Sequence, residues 1–148
     1  GTLVGRVVDS GDFLDGGHLV VLDPDFKELT DAGAGFAPVS WRLVPCDGAT
    51  PMRYRFQSSA DPFVNFFPLD NAWPIAVAEA RKADTMTWTV LSRGPVLGQF
   101  NGTLPSTLGS ARLELRFTDL HGHVVLDSVA SIATGTVTGT AQFPLTCK

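Results

Sequence analysis

Positive charge is scarce in this chain. Lys and Arg number 11 against 15 Asp and Glu, for a formal net charge of −4, and the basic residues form no run. Nucleic-acid binding neutralises phosphates with clustered Lys and Arg, so a nucleic-acid partner is not expected. No stretch approaches the ~20 apolar residues of a membrane span, so membrane insertion is not expected either. Cysteine is confined to Cys46 and Cys147, and two cysteines alone assign no redox compartment. No Gly-x-Ser-x-Gly nucleophile elbow and no phosphate-binding loop occurs. The sequence opens on Gly1-Thr2-Leu3-Val4 without an initiator Met or a signal-peptide pattern, which reads as a mature form or a piece of something longer.

What is present favours a packed β structure. Hydrophobic residues make up 44% and charged residues 18%, a balance that supports a buried core and opposes disorder. The 15 Gly and 10 Pro imply many turns. Leu3 to Val8 is a short β-rich run, and Asp9 to Gly17 reads as loop. Asp23 suits a helix N-cap and Pro24 a first helical position, so one short helix is expected over Pro24 to Thr30, stopped at Asp31-Ala32-Gly33. After Pro38 the chain reads as strands. Val39 to Val44 alternates, as do Arg53 to Phe56 and Val64 to Leu69, with Pro68 marking the last as an edge or bulged strand. Ile75 to Ala80, Thr87 to Leu91, Ala111 to Thr118, Val124 to Ser128 and Thr136 to Phe143 follow. Asp119 to His123 is a hairpin turn between two of them. About seven or eight short strands at close spacing is the pattern of an immunoglobulin-like β-sandwich.

Several spaced segments resemble expansins. They include Gly17-His18-Leu19, Phe26-Lys27-Glu28-Leu29-Thr30-Asp31 and the run Gly35-Phe36-Ala37-Pro38-Val39-Ser40-Trp41-Arg42-Leu43-Val44-Pro45-Cys46. Further on, Tyr54-Arg55-Phe56, Trp73-Pro74-Ile75, Leu113 to Asp119, Gly122-His123-Val124-Val125 and Ala141-Gln142-Phe143-Pro144 keep the same order. The resemblance implies that residues 1–38 are the end of a double-psi barrel domain and residues 39–148 a C-terminal β-sandwich. It also implies an extracellular, non-catalytic protein associated with cell-wall or matrix polysaccharide. An alternative is a structural subunit of an extracellular assembly, using the sandwich for homo- or hetero-contacts within a glycoprotein matrix.

A glycosidase needs two carboxylates around one bond. Expansins keep one acid after a Gly-His-aromatic run, and Val20 stands at that place here. Asp23 reads as a cap; Asp9, Asp12 and Asp15 read as solvated loop residues, so no catalytic residue is expected. His121 and His123 flank a hairpin glycine and read as turn residues, so neither a metal nor another cofactor is expected. In cellulose-binding expansin sandwiches, aromatic rings in a line stack on sugar. The matching positions here are Phe63, Val64, Val96 and Leu97, of which only Phe63 is aromatic. Phe66 or Phe67 belongs in the core by alternation, and Trp41, Trp73 and Trp88 match positions that are mostly structural.

Cys46 and Cys147 flank the sandwich, whose first and last strands can run side by side, so they are expected to pair. In the family the cysteine matching Cys46 pairs back into the first domain, and a partner in a missing segment is the alternative. A Cys46–Cys147 bond closes a long loop and contributes roughly 4–5 kcal/mol in the entropic account. Asn101-Gly102-Thr103 is an N-glycosylation sequon in a secreted protein. Peptide mass spectrometry of native material, without reduction and before and after deglycosylation, is expected to show a Cys46–Cys147 cross-linked peptide and a modified Asn101. Free thiols at both positions, or an unmodified Asn101, would refute the respective expectation.

Overall fold

The computed structural model describes residues 38, 40, 42, 44, 45, 50–57 and 59–145. The chain divides into two compact units, Gly1–Leu43 and Val44–Lys148, and nearly all described residues belong to the second. The helix expected over Pro24 to Thr30, the loop acids, Trp41 and both cysteines lie outside the described residues. No helix occurs among the described residues.

Nine strands follow one another: β1 Arg53–Phe56, β2 Phe63–Leu69, β3 Ile75–Lys82, β4 Thr89–Val90, β5 Ser92–Arg93, β6 Phe100–Thr103, β7 Leu113–Asp119, β8 Val124–Val129 and β9 Gly135–Thr138. They form a five-stranded sheet in the order β5-β6-β2-β1-β9 and a four-stranded sheet in the order β4-β3-β7-β8. Every pairing is antiparallel. Alternation explains the strands individually. Tyr54 and Phe56 are buried while Arg53 and Arg55 are exposed. Leu113, Leu115, Phe117 and Asp119 are buried while Glu114, Arg116 and Thr118 point the other way. Side chains on alternate positions of a strand face opposite sides of its sheet.

The two inner rows meet in one core. The Tyr54 ring of β1 stacks on Phe117 of β7 at 5.7 Å between centroids and 13° between planes. Phe66 of β2 meets Phe117 edge-on at 6.2 Å and 75°. Both geometries are favourable for aromatic pairs, and each adds about 0.5–1.5 kcal/mol beyond area burial. The molecule is therefore mainly β, with two antiparallel sheets facing each other as in a sandwich.

Four expectations need correction. Ser40, Arg42 and Val44 belong to neither sheet. At these described positions the alternation does not mark a paired strand, and Val39 and Leu43 lie outside the described residues. β2 is interior to its sheet despite Pro68. Gln57 N–H donates to the Asn65 carbonyl at 3.0 Å, so the β2 groups in phase with Pro68 point towards β6. β6 pairs only as far as Phe66, which leaves the position facing the proline nitrogen without a strand. β5 and β6 were not expected, and Asn101-Gly102, a pair common in turns, lies inside β6. Gly102 is a strand residue here through its pairing with Val64, and it is a glycine where an added Cβ would lie 2.7 Å from Leu91 Cδ2. Finally, the last strand ends at Thr138 rather than Phe143. Met52 accepts from Gly139 N–H at 2.9 Å but donates to the Ala141 carbonyl at 2.9 Å, so the chain bulges at Thr140.

That bulge serves a buried carboxylate. Asp127 sits on the inner row of β8. It accepts from Tyr54 Oη–H at 2.7 Å, from the Thr140 hydroxyl at 2.9 Å and from Thr140 N–H at 3.0 Å. Burial, then the Asp127 hydrogen bond and charge, push the Tyr54 phenol far above its ordinary value, so it stays a donor. Gly139 is required beside it, since an added Cβ would run into the Asp127 carboxylate and lie 2.7 Å from Tyr54 Cε2. Tyr54→Phe removes a bond to a charged acceptor and is expected to cost about 1.5–3 kcal/mol in urea denaturation. Gly139→Ala is expected to cost about 1–3 kcal/mol by overpacking. Wild-type midpoints for both variants would contradict this account.

Candidate functional site

The outer face of the five-stranded sheet carries Phe63 and Asn101 of the residues singled out by sequence. β2 alternates about its buried Val64 and Phe66, so Phe63 and Asn65 face outwards. Phe63 is registered on Thr103 and Asn65 on Asn101, which places Asn101 and Thr103 on the same face. Phe63 is half-buried there. Val64, at 0% exposure, lies between the sheets and offers no surface to a ligand. Phe67 shares the outer row but is only 7% exposed, with the Arg55 guanidinium 4.7 Å over its ring.

Val96 and Leu97 are 55% and 52% exposed at the tip of the turn joining β5 and β6. Gly94 N–H donates to the Gln99 carbonyl at 2.9 Å and Gln99 N–H to the Val96 carbonyl at 3.0 Å, which closes that turn. The turn meets β6 at Phe100, whereas Phe63 pairs with Thr103 at the other end. Three strand rises, about 10 Å, separate the two ends. The structure thus keeps Phe63 apart from Val96 and Leu97. Amides fill the interval: Gln99 Nε2 donates to Asn65 Oδ1 at 2.8 Å, beside Asn101. A half-exposed ring, a row of amides and an exposed aliphatic tip can bind a neutral, hydroxyl-rich ligand by stacking and hydrogen bonds.

The opposite surface, on the four-stranded sheet, was not legible as a site. Arg81 Nε donates to Glu114 at 2.6 Å. Arg116 donates through Nε and Nη2 to both oxygens of Glu79, each at 2.5 Å. Both guanidinium carbons lie over the Trp88 ring, at 4.4 Å for Arg81 and 4.6 Å for Arg116. Trp73 is a core residue with 0% exposure, its Nε1–H donating to the Pro144 carbonyl at 2.8 Å. Trp88 is not: it is half-buried on the outer surface. Thr89 is registered on the inward Ala80, so the residue before it faces outwards beside Arg81. The signal was the charge alternation in Ala78-Glu79-Ala80-Arg81 and Leu113-Glu114-Leu115-Arg116, which marks an outer row able to receive an indole.

The histidine hairpin is held by an acid. Asp119 Oδ1 accepts from His121 N–H at 2.8 Å and His123 N–H at 2.9 Å, and Oδ2 contacts His123 Nδ1 at 2.7 Å. The His121 ring sits edge-on to Trp73 at 4.4 Å. The two imidazoles lie 6.2 Å apart between centroids, and no group of three or more metal-ligating side chains occurs among the described residues.

No protein-family model matches this chain, and no curated protein matches it. Neither comparison supports the resemblance to expansins, which rests on the spaced residues alone.

Burial acts to raise the Asp119 carboxyl, but the His123 ring and the N–H groups of His123 and His121 outweigh it and hold the group below 3.8. A depressed carboxyl adds stability above its ordinary value and loses it as pH falls through the folded one. Urea denaturation between pH 2 and 7 is therefore expected to show the wild type weakening below about pH 4. Asp119→Asn should be less stable at neutral pH and should have a shallower acid limb. An unchanged acid limb in the variant would exclude Asp119 as its source.

Proposed function

We propose that this chain is a non-catalytic, extracellular, expansin-like module that associates with cell-wall or matrix polysaccharide. Its two antiparallel sheets are read as an immunoglobulin-like sandwich, and its binding surface is the outer face of the five-stranded sheet. The observation that carries this reading is the shared outward face of Phe63, Asn65 and Asn101. One ring without a second coplanar aromatic makes a weak stacking surface, so retention on insoluble polysaccharide is moderate rather than tight.

A second reading, a structural subunit of an extracellular assembly, is favoured by a different observation. Val77, Val90, Val124 and Leu126 are exposed on the four-stranded sheet, and β8 has an unpaired edge among the described strands. Exposed apolar residues beside a free edge are what strand-to-strand association uses.

One pair of measurements separates the two. Retention on insoluble glucan that falls about tenfold in Phe63→Ala, with a monomeric mass in sedimentation, is the expected result. Wild-type retention by Phe63→Ala would refute the proposed surface. No retention on any glucan, together with a concentration-dependent mass, would establish the assembly.

A further inference from the structure

The paired charges and the indole of the four-stranded sheet border a groove. It has a volume of about 290 Å3 and runs across β3, β7 and β8 to the segment after β9. Trp88 and Leu126 supply its apolar walls; Arg81, Glu114, Asp127 and Thr140 supply polar groups. We propose that this groove is a second saccharide subsite, on the sheet opposite Phe63, taking one sugar ring of a neutral polysaccharide.

Four features of the groove point to that ligand. First, its size is at the lower end of the ~300–1,000 Å3 typical of small-ligand sites, which suits one ring of a chain passing over the surface. Second, Leu126 is 62% exposed, and Trp88 is held in place by two guanidinium contacts. An orientation fixed before binding lowers the entropy cost of using the indole as a contact surface. Third, the charged groups are already engaged: Arg81 is paired with Glu114 in the groove and Arg116 with Glu79 beside it, and the Asp127 carboxylate accepts from Tyr54 and Thr140. An anion would need an unpaired cation and a cation an unpaired carboxylate, so this engagement favours an uncharged ligand. Fourth, hydrogen-bonding capacity remains beside the indole. Arg81 reaches Glu114 by a single bond, from Nε to Oε2. Its Nη groups and Glu114 Oε1 have no hydrogen-bond partner among the described residues. A donor set and an acceptor flanking a ring match hydroxyls that both donate and accept.

A proline-rich peptide also packs on tryptophan. Such peptides dock in aromatic-lined grooves, whereas here one indole stands among charged side chains. The saccharide is therefore the better fit.

The site itself is independent of Phe63. Its consequence, a module that bridges two polysaccharide chains from opposite faces, rests on the polysaccharide reading above. The test uses 15N-labelled full chain and the Trp88 indole N–H resonance, assigned by its loss in Trp88→Phe. Cellohexaose, xylohexaose, mannohexaose and decaproline are titrated in turn. The expected result is a saturable shift of the Trp88 indole with at least one hexasaccharide and none with decaproline. The shift should persist in Phe63→Ala, and affinity should fall about tenfold in Trp88→Ala, the loss expected for one stacked ring. Trp88 lies outside the core, so a dispersed spectrum is expected for Trp88→Ala; should that variant be unfolded, Trp88→Phe and Leu126→Asp provide the weakened-binding readout. No shift with any hexasaccharide overturns the site, as does a shift with decaproline. A Trp88 response abolished by Phe63→Ala also overturns it, since the ligand would then sit on the other face. Persistence at Trp88 with no response around Phe63 would instead refute the Phe63 surface and leave this one standing.

Discussion

One buried carboxylate organises this molecule. Asp127 enters the core on β8 of the four-stranded sheet and accepts the Tyr54 hydroxyl from β1 of the five-stranded sheet. A buried carboxylate is tolerated only when its acceptor sites are filled. The Thr140 backbone and hydroxyl fill them, and the chain bulges away from Met52 to deliver both. Gly139 follows from this arrangement, because no side chain fits between the acid and the phenol. The end of β9 and the position of one glycine thus follow from a single polar cluster between the sheets.

The same end of the core is closed by polar side chains rather than by strand pairing. Gln142 accepts Ala72 N–H at 3.0 Å and Phe143 N–H at 2.9 Å, and donates to the Asp70 and Thr50 carbonyls at 2.7 and 2.9 Å. Trp73 secures Pro144 in the same region. The two outer faces of the described sheets carry the two proposed surfaces. They differ in chemistry: amides around a half-exposed phenylalanine on one, and balanced ion pairs around an indole on the other.

Alternation made much of the core legible. Arg-Tyr-Arg-Phe in β1 and Leu-Glu-Leu-Arg-Phe in β7 each carry charge on every second residue, so only one phase of burial is possible. Thr-Trp-Thr-Val-Leu before and through β4 has no such marker, and its phase is set by pairing with Ala80, so the outward position of Trp88 was hidden. Phe63-Val64 had the same ambiguity: the ladder with β6 decides that the phenylalanine faces out and the valine in. β6 was obscured by Asn-Gly, whose turn preference is overridden where Phe100 is buried and Leu91 crowds the glycine. Asp127 lies among Val, Leu, Ser and Val on an inward phase, which signals a buried acid. Its partner Tyr54, 73 residues earlier, could be found only in three dimensions.

The pairing of β1 with β9 has a mechanical consequence. Arg53 lies opposite Thr138, and Gln142 reaches back to Thr50, so the chain before β1 and the chain after β9 lie side by side there. Without a Cys46–Cys147 bond, tension applied through these two points pulls β1 and β9 apart from that side, rupturing their bonds one after another instead of shearing them together. Under load the strands peel open at that clasped end when the cysteines are reduced, whereas a closed Cys46–Cys147 bond carries the load past them.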